Sequence, residues 1–254
     1  MNLGPPRATP PGPPSPQRRL VLPIVRPRLT QALIVLTALV FAGQYASVSF
    51  LGGDLVAFFG AKSNSAIAGG EYWRLLTPLF IHANLLHLFV NAYSLWIIGP
   101  QVEAPFGYAR FLLIYLLSGA AGVVLSFALS PNPSVGASGA IFGLVGALTE
   151  YLFRHRRRFG AFGRQRLMNL VAVIGFNLLF GLTSRQIDNW GHLGGLVGGA
   201  VLGWLIGPEF DIQDQLMAEP RVVDRNPLAR RWFAALAFAL ALGAAVSVIV
   251  SLRA

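Results

Sequence analysis

Apolar residues fall along this chain in seven long runs, divided by short polar or turn-rich segments. The runs cover residues 29–50, 79–99, 108–129, 137–152, 167–183, 189–207 and 231–252. Each lies near the ~20 residues needed to cross a hydrocarbon layer. In lipid the backbone must satisfy its own hydrogen bonds, so the pattern predicts helices. The fourth to sixth runs are short and glycine-rich, which suits helices enclosed by others. "SPNPSVG" before the fourth and "FGRQR" before the fifth are turn and loop material. No internal repeat stands out, which weighs against a transporter built from inverted repeats. Residues 1–28 are rich in Pro and Arg and read as a disordered tail, not a secretory leader. Residues 208–230 read as a polar linker to a last helix, 231–254.

Composition agrees with lipid as the main solvent. Only 12% of the 254 residues are charged and the mean hydropathy is +0.59, whereas soluble domains carry about 25% charged residues. Cysteine is absent, which excludes disulfides, thiolate metal sites and Cys nucleophiles. The net charge of +10 would suggest nucleic acid on a soluble protein. On a membrane protein it reads as arginine that sets orientation, so no nucleic-acid partner is expected.

Seven spans put the two ends on opposite sides. With the N-terminus in the cytoplasm, sixteen Lys and Arg fall inside and four outside: Lys62, Arg74, Arg185 and Arg253. That asymmetry selects this orientation. The second, fourth and sixth helices then all begin in the outer leaflet. The second opens with "FIHANLLHLFVNAY", carrying His82, His87 and Asn91. The fourth opens with Ser138 and the sixth with "DNWGHLGG", carrying His192. His155, in the arginine-rich loop, reads as solvated.

A polar residue within a span is costly and marks a candidate site. A lone serine or histidine in such a helix ordinarily serves packing. Three helices bringing such groups to one depth is a different observation. A serine needs a base to become a nucleophile, and His192 can supply it if the fourth and sixth helices touch. Gly191, Gly195, Gly199, Gly203 and Gly207 recur every fourth residue on one, and Gly139, Gly143 and Ala147 on the other. Small residues at that spacing let helices approach closely in lipid. The reading is a Ser138–His192 dyad, with Asp188 a minor contender for a third member. Ser138 at a helix N-terminus meets unpaired N–H groups that favour an oxyanion. His87 and Asn91, four apart on one face, could add donors. Phe142, one turn below Ser138, could stack on the imidazole. His82 and His87 are five apart with no glutamate between them, so a metal site is not expected, and no cofactor is implied.

These residues resemble the rhomboid intramembrane serine proteases. The resemblance rests on "GASGAIFG" around Ser138, "GHLGGLVGG" around His192, "HANLLHLFVNAY", "EYWRLLTPLF" and "GPQVEAPFGYARFLLIYLLSG", in order over residues 30–207. It implies an all-α polytopic membrane bundle: a six-helix rhomboid-like core over 29–207 and a seventh transmembrane helix. It implies Ser138 as nucleophile and His192 as general base. His87, Asn91 and the Ser138 N–H would be oxyanion donors, beside Gly136 as the first glycine of the motif. It gives Phe142 the place of the aromatic on the base. Trp73 and Arg74 become a structural, half-submerged pair, and His82 a structural position nearer the surface. Ala104-Pro105 after Glu103 departs from the family, where a basic residue is common.

The expected activity is hydrolysis of peptide bonds in or near transmembrane segments of other membrane proteins, with those segments and the bilayer as partners. Two rivals stand beside it. A small-solute transporter predicts polar groups spread through the whole depth. A non-catalytic escort factor predicts loss of the serine or histidine. An arginine-, alanine- and glycine-rich chain fits a bacterial plasma membrane, with the site toward the exterior.

Overall fold

The computed structural model describes residues 23–184, 186–215 and 218–253. Most of the tail expectation, with Arg7, Arg18 and Arg19, lies outside the described residues, as does Arg185. The described chain is dominated by seven long helices: α1 (Arg28–Leu51), α4 (Leu85–Phe106), α5 (Tyr108–Leu129), α6 (Ser138–Arg154), α7 (Arg156–Gly181), α8 (Asn189–Ile206) and α9 (Leu228–Ser251). Two short helices, α2 (Leu55–Gly60) and α3 (Asn64–Ala68), and two 3-10 turns at Tyr72–Leu75 and Thr77–Phe80 build the loop between α1 and α4, named the first outer loop after the orientation the arginine count predicts. The molecule is a helical membrane bundle. By length and composition α1, α4, α5 and α9 can each cross a membrane.

Helix ends follow local chemistry. Pro27 precedes α1, and Gly52 closes it in the left-handed conformation at φ 77°. Asn84 caps α4 by accepting from His87 N, and Asp188 caps α8 by accepting from Gly191 N. Glu103, fully buried, accepts from Leu29 N, Thr30 N and Thr30 Oγ1 at 2.6–2.8 Å. It therefore places a carboxylate at the positive end of α1 and ties that helix to α4. Arg110 does the reverse at the far end of α8. It donates to Ile206 O, to Asn226 O and to the carboxylate of Asp224.

The centre of the bundle is the α5–α6–α8 trio. A Cβ at Gly199 would overlap the carbonyl of Gly143, one at Gly195 the carbonyl of Gly139, and one at Gly203 would stand 2.9 Å from Ala147 Cα. Absent side chains therefore set the α6–α8 separation. A second glycine face, unnoticed in the sequence, turns toward α5. There, Gly194 and Gly198 lie against the Ala121 carbonyl and the Ala121 Cβ. Around this trio, α1, α4, α7 and α9 expose large apolar side chains such as Leu39, Phe89, Trp96, Phe176 and Leu240, the surface expected of lipid-facing helices.

Several boundaries differ from the sequence reading. The second run does not begin as helix. Pro78 and the Asn84 cap hold residues 79–84 out of α4, which instead continues through Pro100 and Pro105 to Phe106. Gly107 alone separates α4 from α5, and Arg110 lies in the first turn of α5. "FGRQR" lies inside α7, whose break comes earlier, at Gly160 with φ 55°. Gly207 stands beyond the end of α8 and does not belong to its stripe. The polar linker contains an antiparallel hairpin, β1 (Phe210–Gln215) and β2 (Ala218–Asp224), pairing Phe210 with Asp224 and Ile212 with Val222.

Candidate active site

Ser138 is the first residue of α6 and His192 the fourth of α8. Both helices start at the same end of the bundle, and the glycine contacts bring their first turns together. His192 Nε2 lies 2.9 Å from Ser138 Oγ. The Phe142 ring stacks on the imidazole with centroids 4.4 Å apart and planes at 11°, fixing the ring's plane from below. Nδ1 of His192 is buried without a partner among the described residues. Asp188 spends its carboxylate on the α8 cap, through Gly191 N at 2.9 Å, and does not reach that nitrogen. The geometry thus brings together a Ser–His pair, with no third member on Nδ1 among the described residues.

The loop before Ser138 brings the other candidates in. Gly136 has φ 123°, a conformation open to glycine. A Cβ there would lie 2.7 Å from His87 Nε2 and 3.8 Å from Asn91 Nδ2. The first turn of α4 thus faces the Gly136 backbone directly. Asn91 is buried and donates to His87 O at 2.9 Å. The N–H groups at the mouth of α6 have no partner within the helix, so donors of three kinds border the Gly136–Ser138 turn. Such a set can hold negative charge on a carbonyl oxygen while a serine attacks its carbon. A small cavity of ≈ 30 Å³ lies beside the dyad. It is walled by Gly119, Gly122, Gly139 and Gly191 with Ser138 and His192, and it holds little more than one water.

His82 departs from the expectation that it sits on helix two. It precedes α4 and is 1% exposed. Its backbone N–H donates to Gln44 Oε1 and its carbonyl accepts from Gln44 Nε2, which anchors the chain entering α4 to α1. Its ring meets His87 edge-on at 5.2 Å. His155 is also not solvated. Packed at the end of α6, it donates from Nδ1 to Tyr151 O at 2.9 Å.

Arg74 is buried and donates to Glu71, Ala61 O and Phe58 O, and Trp73 Nε1 donates to Phe59 O at 3.0 Å. Both hold the first outer loop together and neither touches the dyad. The sequence reading missed Lys62, which it took only as an outside charge. Lys62 is fully buried, and Nζ donates to Ser130 O at 2.9 Å and Asn132 O at 2.7 Å. Its backbone pairs with Ser134 in both directions, and Asn64 Nδ2 also donates to Ser130 O. The loop that delivers Ser138 is clamped to the first outer loop through these bonds. Burial pushes the Lys62 ammonium down to about 8; Asp188 opposes that shift and Arg253 adds to it. No local signal marks Lys62, because its acceptors lie 68 and 70 residues away.

A family model for the Rhomboid domain matches residues 69–209, which contain Trp73, Arg74, His82, His87, Asn91, Gly136, Ser138, Phe142 and His192 but not Lys62. Rhomboid protease GluP of Bacillus subtilis (strain 168) is 44% identical over 174 residues, covering 68% of this chain and 34% of that protein. The putative rhomboid protease YdcA of the same organism is 38% identical over 144 residues, 56% of this chain and 71% of its own length. RHOMBOID-like protein 7 of Arabidopsis thaliana is 37% identical over 188 residues, 68% of this chain and 58% of its own. The chain thus spans about a third of the GluP relative and more of the other two.

Proposed function

The chain belongs to the rhomboid family, and from that premise we propose that it is an intramembrane serine endopeptidase. Ser138 Oγ attacks the carbonyl carbon of a peptide bond while His192 Nε2 takes its proton. The carbonyl oxygen, now negative, is held by the Ser138 N–H, His87 and Asn91. Collapse expels the amine, which receives the proton from His192, and leaves an acyl ester on Ser138. Water, deprotonated by His192, then hydrolyses that ester and restores the hydroxyl. Phe142 keeps the imidazole in plane through both transfers.

The single observation that supports this most is the 2.9 Å approach of His192 Nε2 to Ser138 Oγ. The apolar shell supports membrane-embedded substrates. A helix hides its carbonyls in its own hydrogen bonds, so a transmembrane segment must unwind to be cut, and helix-breaking residues near its end should favour cleavage. The ≈ 30 Å³ glycine-walled cavity suits a small side chain beside the scissile bond. The arginine asymmetry supports an orientation with the N-terminus inside and the dyad toward the exterior, and the seven apolar runs and the composition support seven spans of a bacterial plasma membrane.

The test is labelling of detergent-purified protein with a fluorophosphonate, paired with cleavage of a transmembrane reporter. Wild type should react and cleave; Ser138→Ala and His192→Ala should do neither. Equal labelling of wild type and Ser138→Ala would overturn the assignment, as would cleavage that survives loss of the serine.

A further inference from the structure

At the opposite end of the bundle from Ser138, the ends of α4 and α6, the start of α7 and the hairpin enclose a cavity of ≈ 570 Å³. That size is typical of pockets that take a drug-sized ligand. Its walls are largely apolar: Leu148 and Leu152 of α6, Phe159 and Phe162 of α7, Ile212 and Val222 of the hairpin. The break in α7 at Gly160 lies beside it. The cavity's α7 residues lie on both sides of that break, with Arg158 before it and Arg166 after it.

These two arginines give the cavity its sign. Arg158 Nη1 donates to Phe210 O and Arg166 Nη2 to Gln101 Oε1 at 2.6 Å. Both acceptors are neutral, and among the described residues neither arginine meets a carboxylate. The one acid on the lining, Asp211, is paired with Arg225. Arg158 is exposed and Arg166 half-buried, so the charge stands at the rim while the interior is apolar. Arg156, Arg157 and Arg164 on the same helix add to the positive field.

We propose that this cavity binds one anionic phospholipid, with an acyl chain among the leucines and phenylalanines and its phosphate against Arg158 and Arg166. The chain is bathed in lipid. An apolar cavity with guanidinium charge at its mouth that meets no carboxylate among the described residues matches the two halves of such a molecule. Guanidinium binds phosphate through two donors at once, and basic pockets between membrane helices at the arginine-rich side are where acidic headgroups collect. The site lies apart from the dyad, so its occupancy is measurable without any peptidase assay.

The experiment uses full-length, delipidated protein in a non-ionic detergent and counts bound lipid by native mass spectrometry. The probes are dioctanoyl phosphatidylglycerol, dioctanoyl phosphatidylcholine, glycerol phosphate and inorganic phosphate. One phosphatidylglycerol per chain should be retained, at least about tenfold more tightly than phosphatidylcholine, as two charge-assisted contacts require. Arg158→Gln with Arg166→Gln should remove that preference, while Arg157→Gln with Arg164→Gln, outside the cavity, should keep it. Equal retention of the two lipids, equal loss in both double variants, or equally tight binding of glycerol phosphate or phosphate alone would each overturn the proposal. If the first double variant does not fold, the ranking of the four probes on wild type still decides.

Discussion

The segment that carries Ser138 is held from two sides by opposite means. On the α8 side the contact is made by missing side chains: Gly195 and Gly199 lie on the backbone of Gly139 and Gly143, with no room for a methyl group. On the outer-loop side it is made by long polar side chains. Lys62 and Asn64 reach across to the carbonyls of Ser130 and Asn132. The difference follows from the surroundings. Deep in the bundle an unpartnered polar group is costly and close backbone packing is the cheaper way to fix geometry. At the rim the chain leaves regular structure, and its free carbonyls need donors. The seam sets how far His192 stands from the hydroxyl. The clamp sets where the Gly136–Ser138 turn sits against His87.

Damage to the seam should therefore have the larger effect. Gly199→Val puts a branched side chain where Gly143 C and Cα stand within 2.5 Å of a Cβ. The helices must part by more than an ångström, and a displacement of that size in a catalytic pair costs about 10² in rate. Reporter cleavage should fall by that factor or more. Gly243→Val in α9, where a Cβ meets nothing within 4 Å, should leave cleavage and melting midpoint unchanged. A Gly199→Val protein that folds and cleaves at the wild-type rate would show that the seam does not set the dyad.

The seam was readable in the sequence and the clamp was not, for a physical reason. Helical packing has a period, so glycines at every fourth position announce a close approach, and seven apolar runs announce seven helices. The candidate residues Ser138, His192, His87 and Asn91 were visible because polar groups are rare in such runs. Lys62, Glu103 and Arg110 follow no period. Each satisfies backbone groups on an element more than 65 residues away, and only the fold makes the two neighbours. His155 looked solvated because it sits among arginines, yet the turn into α7 covers it. The hairpin was hidden because its alternation, Phe210, Ile212 against Val222, is short and crowded with charge.

Loss of the clamp should have a middling effect. Lys62→Met keeps the buried stem and removes the ammonium, leaving Asn132 O without its donor while Ser130 O keeps only Asn64 Nδ2. That deficit is about 1–3 kcal/mol, and a loosened Gly136–Ser138 turn should slow cleavage by about tenfold while fluorophosphonate still labels Ser138. The pH dependence adds a signature. Lys62 binds its proton less tightly when folded, near 8, than the ordinary value of 10.5. Burial thus penalises the charged form below 8, and the penalty is relieved as the pH rises from 8 toward 10.5. Wild type should gain roughly 2–3 kcal/mol over Lys62→Met across that window, read from paired unfolding curves. A constant difference between the two proteins from pH 7 to 10 would remove the ammonium from the clamp.

The smallest effect belongs to Trp73. Its indole N–H donates to Phe59 O, but the side chain is 52% exposed and touches neither the seam nor the clamp. Trp73→Phe keeps the aromatic body and removes one largely solvated hydrogen bond, worth about 0.5 kcal/mol or less. The buried Arg74, with three acceptors of its own, still holds α2 to the first 3-10 turn. Cleavage should therefore stay within about twofold of wild type, since an exposed site away from the reacting groups seldom shifts stability by more than about 0.5 kcal/mol. A tenfold loss in Trp73→Phe, with Lys62→Met unaffected, would invert the order. It would mean that the outer loop acts on Ser138 through its lipid-facing edge and not through the lysine beneath it.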